Sequence, residues 1–331
     1  MCDLFSKWYN EIPESIHTLP PTASKRTYYR IKSRNYTAIG VHNPNYKENR
    51  AFISMTRFFM DERIHVPEIY RYDLDNNIYL QEDLGNQTLF SFIIEKSNHS
   101  DNLSELKKVL KQALKELARI QVMGGKKMDF SICYPYKQFS QDSILWDLNY
   151  FRKQFLDQLG IDYHAENLRK DFQQFADFIM QADNDYLMYR DFQSRNIMLH
   201  QNTLYFIDYQ GARKGPLQYD VASCLFQARA ALPAEIREEM LDYYLGIAEM
   251  LTPINRSEFL KYYYPVALIR VLQTLGAYGL RGLKEGKQHF VKSIPLALKN
   301  IRLLKEKNML TTELPELGRI IQELTLIENI Q

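Results

Sequence analysis

Asp191 is followed five residues later by Asn196 and twelve residues after that by Asp208, within Tyr189-Arg190-Asp191-Phe192-Gln193-Ser194-Arg195-Asn196 and the downstream Ile207-Asp208-Tyr209-Gln210. Two short apolar runs, 196–199 and 204–207, separate the groups and read as a hairpin that carries all three to one end of a cleft. A carboxylate, an amide and a second carboxylate on such a scaffold suit phosphoryl transfer. One carboxylate takes a proton from an attacking hydroxyl, while an amide oxygen and a carboxylate hold magnesium against a triphosphate. Asp and Asn are also common turn residues, and turn formation alone accounts for an isolated pair. The other signals, found in order along the chain, outweigh that plainer reading.

The elements that must position these residues fall into two portions. Up to about Asp83, 28–32 and 36–41 are aromatic or β-branched runs separated by Ser33-Arg34-Asn35, and 68–73 and 78–81 form a second pair joined through Asp75-Asn76-Asn77. Between them, Phe52, Met55, Phe58 and Phe59 recur at helical spacing over 46–60. Beyond Gly85 the pattern turns helical. Leu103, Leu106, Leu110, Leu114 and Leu117 describe an amphipathic helix, and further helices are expected at 142–158, 164–182, 220–230, 234–251, 255–282, 287–307 and 312–328. The expected fold is α+β, a small antiparallel sheet portion over 1–84 and a mostly helical portion over 85–331.

The segment around Asp191 resembles the catalytic loop of the aminoglycoside phosphotransferase and choline kinase superfamily. Asp208-Tyr209-Gln210-Gly211-Ala212-Arg213 and Gly215-Pro216-Leu217-Gln218-Tyr219-Asp220-Val221-Ala222-Ser223 are similar, more narrowly, to the bacterial kinases of the anomeric hydroxyl of N-acetylmuramate and N-acetylglucosamine. Ala23-Ser24-Lys25-Arg26-Thr27-Tyr28-Tyr29-Arg30 resembles that branch's nucleotide loop, and Leu80-Gln81-Glu82-Asp83-Leu84-Gly85 its interlobe hinge. The likeness runs from about Leu19 to Cys224 and is most specific over 189–223.

The resemblance implies a two-lobed protein-kinase-like fold and an ATP- and magnesium-dependent small-molecule kinase. It makes Asp191 the catalytic base and Asn196 and Asp208 the magnesium ligands. Backbone groups of Glu82 to Leu84 would hold adenine, Ser24, Lys25 and Arg26 would cover the phosphates, and buried Asp220 would brace the catalytic loop. Glu48 corresponds to the helix glutamate that faces the phosphates. Two positions depart from the pattern. Tyr189 stands where the family usually has a loop-bracing histidine, and 36–41 has no lysine, a substitution the sugar-kinase branch also tolerates. Lys25, Arg26, Arg30 and Lys32 are the four candidates for the missing charge.

Composition narrows the alternatives. The 42 Lys+Arg nearly cancel the 40 Asp+Glu, against a main role in neutralising nucleic-acid phosphates. The basic residues between Arg281 and Lys307 alternate with apolar ones at helical spacing and read as a solvated helix face. Arg190, Arg195 and Arg213 read equally as phosphate contacts or as partners of nearby acids. The three cysteines and seven histidines show no disulfide framework or zinc-ligand spacing. Tyr262-Tyr263-Tyr264 is expected to be buried against neighbouring helices rather than stacked on a sugar. Residues 262–283 are interrupted by Arg270, Gln273 and Arg281, so they read as a buried helix and not a membrane span. With no recognisable secretory signal at the N-terminus, a cytoplasmic setting is expected. The expected acceptor is an amino sugar. Choline, homoserine, an aminoglycoside, or a catalytically silent regulatory role are the alternatives, and the oligomeric state is not legible.

Overall fold

The computed structural model describes residues 1–20, 25–97, 103–307 and 314–327, and packing groups them into two units. The first comprises 1–95, 127–137 and 194–213, and the second 96–126, 138–193 and 214–331, apart from the residues outside the described set.

In the first unit, helix α1 (Cys2–Tyr9) precedes strands β1 (Ser15–Thr18), β2 (Thr27–Lys32) and β3 (Thr37–His42), helix α2 (Tyr46–Asp61), and strands β4 (Ile69–Asp73) and β5 (Ile78–Glu82). The strands form one antiparallel sheet in the order β1-β2-β3-β5-β4. The expected hairpins are both present, each closed by local chemistry. Ser33 N–H donates to the Tyr36 carbonyl at 2.9 Å after β2. Before β5, the Asp73 side chain accepts from the Asn76 amide at 3.1 Å and Asn77 takes φ 55°. Leu4 and Phe5 of α1 pack with Ile31, Ala38 and Leu80, closing one sheet face. The sequence reading assigned neither α1 nor β1. Asn45 caps α2 by accepting from the Glu48 amide at 3.2 Å, and Phe52, Met55 and Phe59 are buried while Phe58 is half-buried. A hairpin of Ile197–His200 and Thr203–Phe206 completes the unit.

The second unit is built of helices. Leu106, Leu110, Leu114 and Leu117 line the buried face of Leu103–Arg119, which runs into a wider turn at Ile120–Gly124. Arg256–Tyr278 is buried around most of its circumference, as an apolar, weakly amphipathic helix must be. Small residues let it approach Gln141–Phe151 and the following turn, Arg152–Leu156, closely. A Cβ on Gly279 would lie 1.8 Å from the Gln154 carbonyl oxygen, and one on Gly276 would lie 2.7 Å from the Tyr150 ring. Tyr262 and Tyr263 are buried and Tyr264 half-buried, as expected of a packing cluster.

One expected helix divides: 287–307 is two pieces, Gln288–Val291 and Ile294–Glu306. Pro295 cannot donate a backbone hydrogen bond within a continuing helix but fits the first turn of a new one. The 220–230 helix is Leu217–Leu225 followed by a 3-10 turn, Ala228–Ala230. The ends of the last expected helix, 312–313 and 328, lie outside the described residues, and the described helix is Pro315–Leu326. Among the basic residues of 281–307, Lys284, Lys287, Lys292, Lys299 and Lys305 are exposed. Arg302 instead donates to the carbonyls of Thr325 and Ile327 at 2.9 and 2.6 Å, satisfying the end of that last helix. Among the described residues no helix is long and apolar enough to cross a membrane.

Candidate active site

In the first unit, Asn196 ends a 3-10 turn, Ser194–Asn196, and is buried. Its carbonyl accepts from the Ile207 amide at 3.0 Å, which ties the two ends of the hairpin together. The connection brings the Asn196 amide to 3.5 Å from Asp208 Oδ2. Asp208 takes a left-handed conformation, φ 68°, which the short polar side chain tolerates and most others do not. Gln210 Nε2 donates to Asp208 Oδ1 at 2.8 Å. The next residue, Tyr209, is fully buried: its ring stacks on Phe52 at 5.0 Å, meets Phe59 edge-on, and its hydroxyl shares a 2.6 Å hydrogen bond with Thr56. The loop bearing Asp208 is therefore anchored to α2.

Arg26, just before β2, is buried against the same group. Its Nη2 lies 2.6 Å from Glu48 Oε1 and its Nη1 3.4 Å from Asp208 Oδ1. Asn43 holds the other oxygen of Glu48 at 3.1 Å. Of the four candidate cations, Arg26 is the one that reaches Glu48 and Asp208. Arg30 is committed elsewhere: its guanidinium pairs with Asp83 at 2.7 Å and donates to Asn86 and the Gly85 carbonyl at 2.9 and 3.1 Å. Lys25 and Lys32 are exposed.

The expected hinge follows β5. Glu82 is half-buried, and its carboxylate accepts from the Glu68 amide at 3.3 Å. Gly85, at φ 79°, turns the chain and donates to Asp83 at 3.0 Å. The carbonyl of buried Leu84 is 3.2 Å from His200 Nδ1. Ser24 lies outside the described residues. Asn196 and Asp208 offer an amide oxygen and a carboxylate, hard donors of the type magnesium takes, so the chemistry of the pair fits that ion.

In the second unit, Asp191 follows the short strand Tyr186–Met188 and is partly exposed. Asp220 is fully buried and accepts from the backbone amides of Tyr189 and Arg190 at 2.6 and 2.9 Å and from Gln121 at 3.3 Å. These are the contacts expected of a loop-bracing carboxylate. Burial pushes its pKa up to about 7 against the opposing pull of the two amides. The Tyr189 ring is buried edge-on against Phe192 at 5.4 Å.

Two arginines complete this site, and sequence reasoning did not find their partners. Arg190 takes φ 80° and pairs with fully buried Asp147 at 3.3 Å. Arg270 reaches Asp191 at 3.8 Å while donating to the Tyr219 hydroxyl at 2.9 Å and Ser223 at 3.1 Å. Both guanidiniums lie about the Tyr219 ring, at 5.0 and 4.9 Å from its centre, and burial pushes the phenol up to about 12. Arg270 had registered in the sequence only as a polar break in an apolar window. Arg213 is buried and donates to the Gly211 carbonyl at 3.0 Å, whereas Arg195 is exposed.

The fold, with its five-stranded sheet unit and its helical unit, is of the protein-kinase-like class. A family model for the phosphotransferase enzyme family matches residues 15–253. The chain belongs to that family and is an ATP-dependent phosphotransferase with a hydroxyl group as acceptor. It is 24% identical over 326 residues to N-acetylmuramate/N-acetylglucosamine kinase of Pseudomonas aeruginosa, covering 96% of this chain and 90% of that one. Among solved structures it is similar to the choline kinase LicA from Streptococcus pneumoniae, with a TM-score of 0.61 at 14% identity over 92% of this chain and 97% of that one. It is also similar to amicoumacin kinase hAmiN in complex with AMP-PNP and Ca2+, with a TM-score of 0.56 at 14% identity over 98% and 96% of the two chains.

Proposed function

We propose that this chain phosphorylates a hydroxyl of an amino sugar such as N-acetylmuramate or N-acetylglucosamine, with ATP as donor and magnesium as the metal. Residues 1–84 form its nucleotide-binding part, and 85–331 carry the catalytic loop and the acceptor pocket. The observation that carries the catalytic reading is the cluster of Asn196, Asp208, Arg26 and Glu48, in which a metal-type donor pair and a buried cation share one carboxylate. The amino-sugar acceptor is supported by the relatives of that activity, which match nearly the whole chain.

Asp191 accepts the proton of the attacking hydroxyl, and Arg270 stands 3.8 Å from its carboxylate. Asp220 holds the loop through the Tyr189 and Arg190 amides, so Asp191 is presented without a reorganisation cost at each turnover. Asn196 and Asp208 hold magnesium, which when bound neutralises charge on the transferring phosphoryl group. Arg26, ordered by Glu48, supplies the positive charge that β3 lacks, and the backbone of Glu82 to Leu84 receives adenine. Lys25 covers the phosphates from the segment before β2, and the same role for Ser24, outside the described residues, rests on the family resemblance alone.

The deciding experiment incubates the protein with ATP, magnesium and a panel of amino sugars, choline, homoserine and aminoglycosides, followed by phosphorus NMR of the products. A sugar phosphate formed from N-acetylmuramate or N-acetylglucosamine in preference to the others is expected. Faster turnover of choline, homoserine or an aminoglycoside would move the acceptor assignment. ATP binding with no phosphorylated product from any of them would favour a regulatory role.

A further inference from the structure

A cavity of about 310 Å³ lies within the second unit among the helices Ala234–Glu249, Arg256–Tyr278 and Ile294–Glu306. That volume is enough for a small metabolite. Phe226, Tyr263 and Tyr264 supply aromatic wall, and Arg237 supplies a cation. Tyr263 and Tyr264 precede Arg270 on their helix by seven and six residues, about 9–10.5 Å at a rise of 1.5 Å per residue. An occupant of the cavity is thus displaced from the Asp191 carboxylate that Arg270 faces.

Arg237 differs from buried Arg26 and Arg270, each of which faces a carboxylate. It is only 6% exposed, and its Nε donates to the Leu232 carbonyl at 2.8 Å with the Phe226 ring 4.9 Å away. Among the described residues no carboxylate comes within ion-pair distance of it, and its Nη1 is buried with no hydrogen-bond partner. Arg26 and Arg190, by contrast, each face a carboxylate. A guanidinium taken out of water with neither counter-ion nor full hydrogen bonding is costly, and burial pulls its pKa down.

The acidic residues around the cavity are otherwise disposed. Glu238 is held by Lys307 at 2.8 Å and by the Tyr264 hydroxyl at 3.3 Å. Glu235 and Glu306 are exposed, and as solvated anions they disfavour a second negative charge on anything entering.

We propose that this cavity binds a small molecule with one oxyanion head, a carboxylate or phosphate, paired with Arg237. Its body lies against Phe226, Tyr263 and Tyr264, and its far end is neutral or positively charged. This site is independent of the phosphotransfer reading.

The test uses the full chain in calorimetric titrations with four probes: butyrate, 4-aminobutyrate, succinate and inorganic phosphate. Saturable binding of 4-aminobutyrate and butyrate is expected below about 10 mM, with succinate weaker by roughly tenfold or more. Phosphate binding at Arg237 identifies the head group as general, whereas binding of the monocarboxylates alone restricts it to carboxylate. Arg237→Gln should weaken every bound probe by about tenfold or more. Ala234→Trp, at an exposed position on the cavity lining, should do the same by filling space without altering charge. Failure of all four probes to bind, binding unchanged in both variants, or succinate binding most tightly would overturn the proposal. If Arg237→Gln does not fold, Ala234→Trp decides alone. Arg237→Met provides a further check: removing an unpaired buried charge should leave the ligand-free melting temperature unchanged or raised, and a fall would assign the arginine to holding the fold.

Discussion

Arg26 and Glu48 meet at 2.6 Å, one immediately before β2 and the other in the first turn of α2, and Asp208 stands 3.4 Å beyond the arginine. The pair places a permanent positive charge beside the proposed metal-side carboxylate without using a residue of β3. Arg26→Ala should lower kcat/KM for ATP by about 10²-fold to 10³-fold, the range for removing a preorganised electrostatic contact. Arg26→Lys should recover part of that loss, since the charge returns without the fork that touches both carboxylates. Steady-state kinetics with varied ATP check this, and an unchanged Arg26→Ala enzyme would remove the residue from the mechanism.

Asp191→Ala and Asp208→Ala should each reduce turnover by at least ~10²-fold while the far-ultraviolet circular dichroism spectrum stays that of the parent. The assay is ADP release in the presence of the acceptor. Near-normal rates in both variants would sink the proposed chemistry.

The Arg190–Asp147 pair predicts a change in stability. Asp147 is fully buried, and Arg190 has it as a carboxylate partner at 3.3 Å. Asp147→Ala should destabilise the chain by up to about 3–5 kcal/mol because it leaves a guanidinium only 15% exposed without its carboxylate. Mutating both to Met and Ala should cost less than the single change. Denaturant unfolding of the three variants measures the difference.

A pH dependence follows from Asp220. Its folded pKa is raised to about 7, above that of an ordinary aspartate, so between about pH 4 and 7 the folded chain binds a proton that the unfolded chain has released. This group's contribution is fully present below the unfolded pKa and is lost as pH rises through the folded one. The contribution falls by up to ~1.4 kcal/mol per pH unit across that window. Asp220→Asn should flatten the slope, read as unfolding midpoints at several pH values.

Gly279→Ala should destabilise the second unit although its backbone angles, φ −60° and ψ −50°, suit any residue, because the added carbon would stand 1.8 Å from the Gln154 carbonyl oxygen. Gly246→Ala, where nothing crowds the added carbon, serves as the comparison and should be neutral or stabilising. Thermal melts of the two variants distinguish close packing from helix propensity.

Both sheet hairpins were legible because their strands alternate suitable residues around Asn- and Asp-containing turns. Asp191, Asn196, Asp208 and Asp220 were legible because they lie within thirty residues in a recognisable order. Arg26 was not separable from Lys25, Arg30 and Lys32. The choice rests on where Glu48 and Asp83 come to lie, which no local pattern encodes. Arg270 and Asp147 were hidden for the same reason: their partners Asp191 and Arg190 are remote in sequence. Two misses did carry a signal. Pro295 marks the division of the 287–307 helix, and Leu4, Phe5 and Trp8 have the spacing of an amphipathic turn.

Tyr209, seated between Phe52 and Phe59 and bonded to Thr56, leaves α2 no slack relative to the loop it holds. Glu48, which meets Arg26 at 2.6 Å, lies on the same helix, so one rigid element fixes both the loop that ends at Asp208 and the carboxylate that orders the arginine.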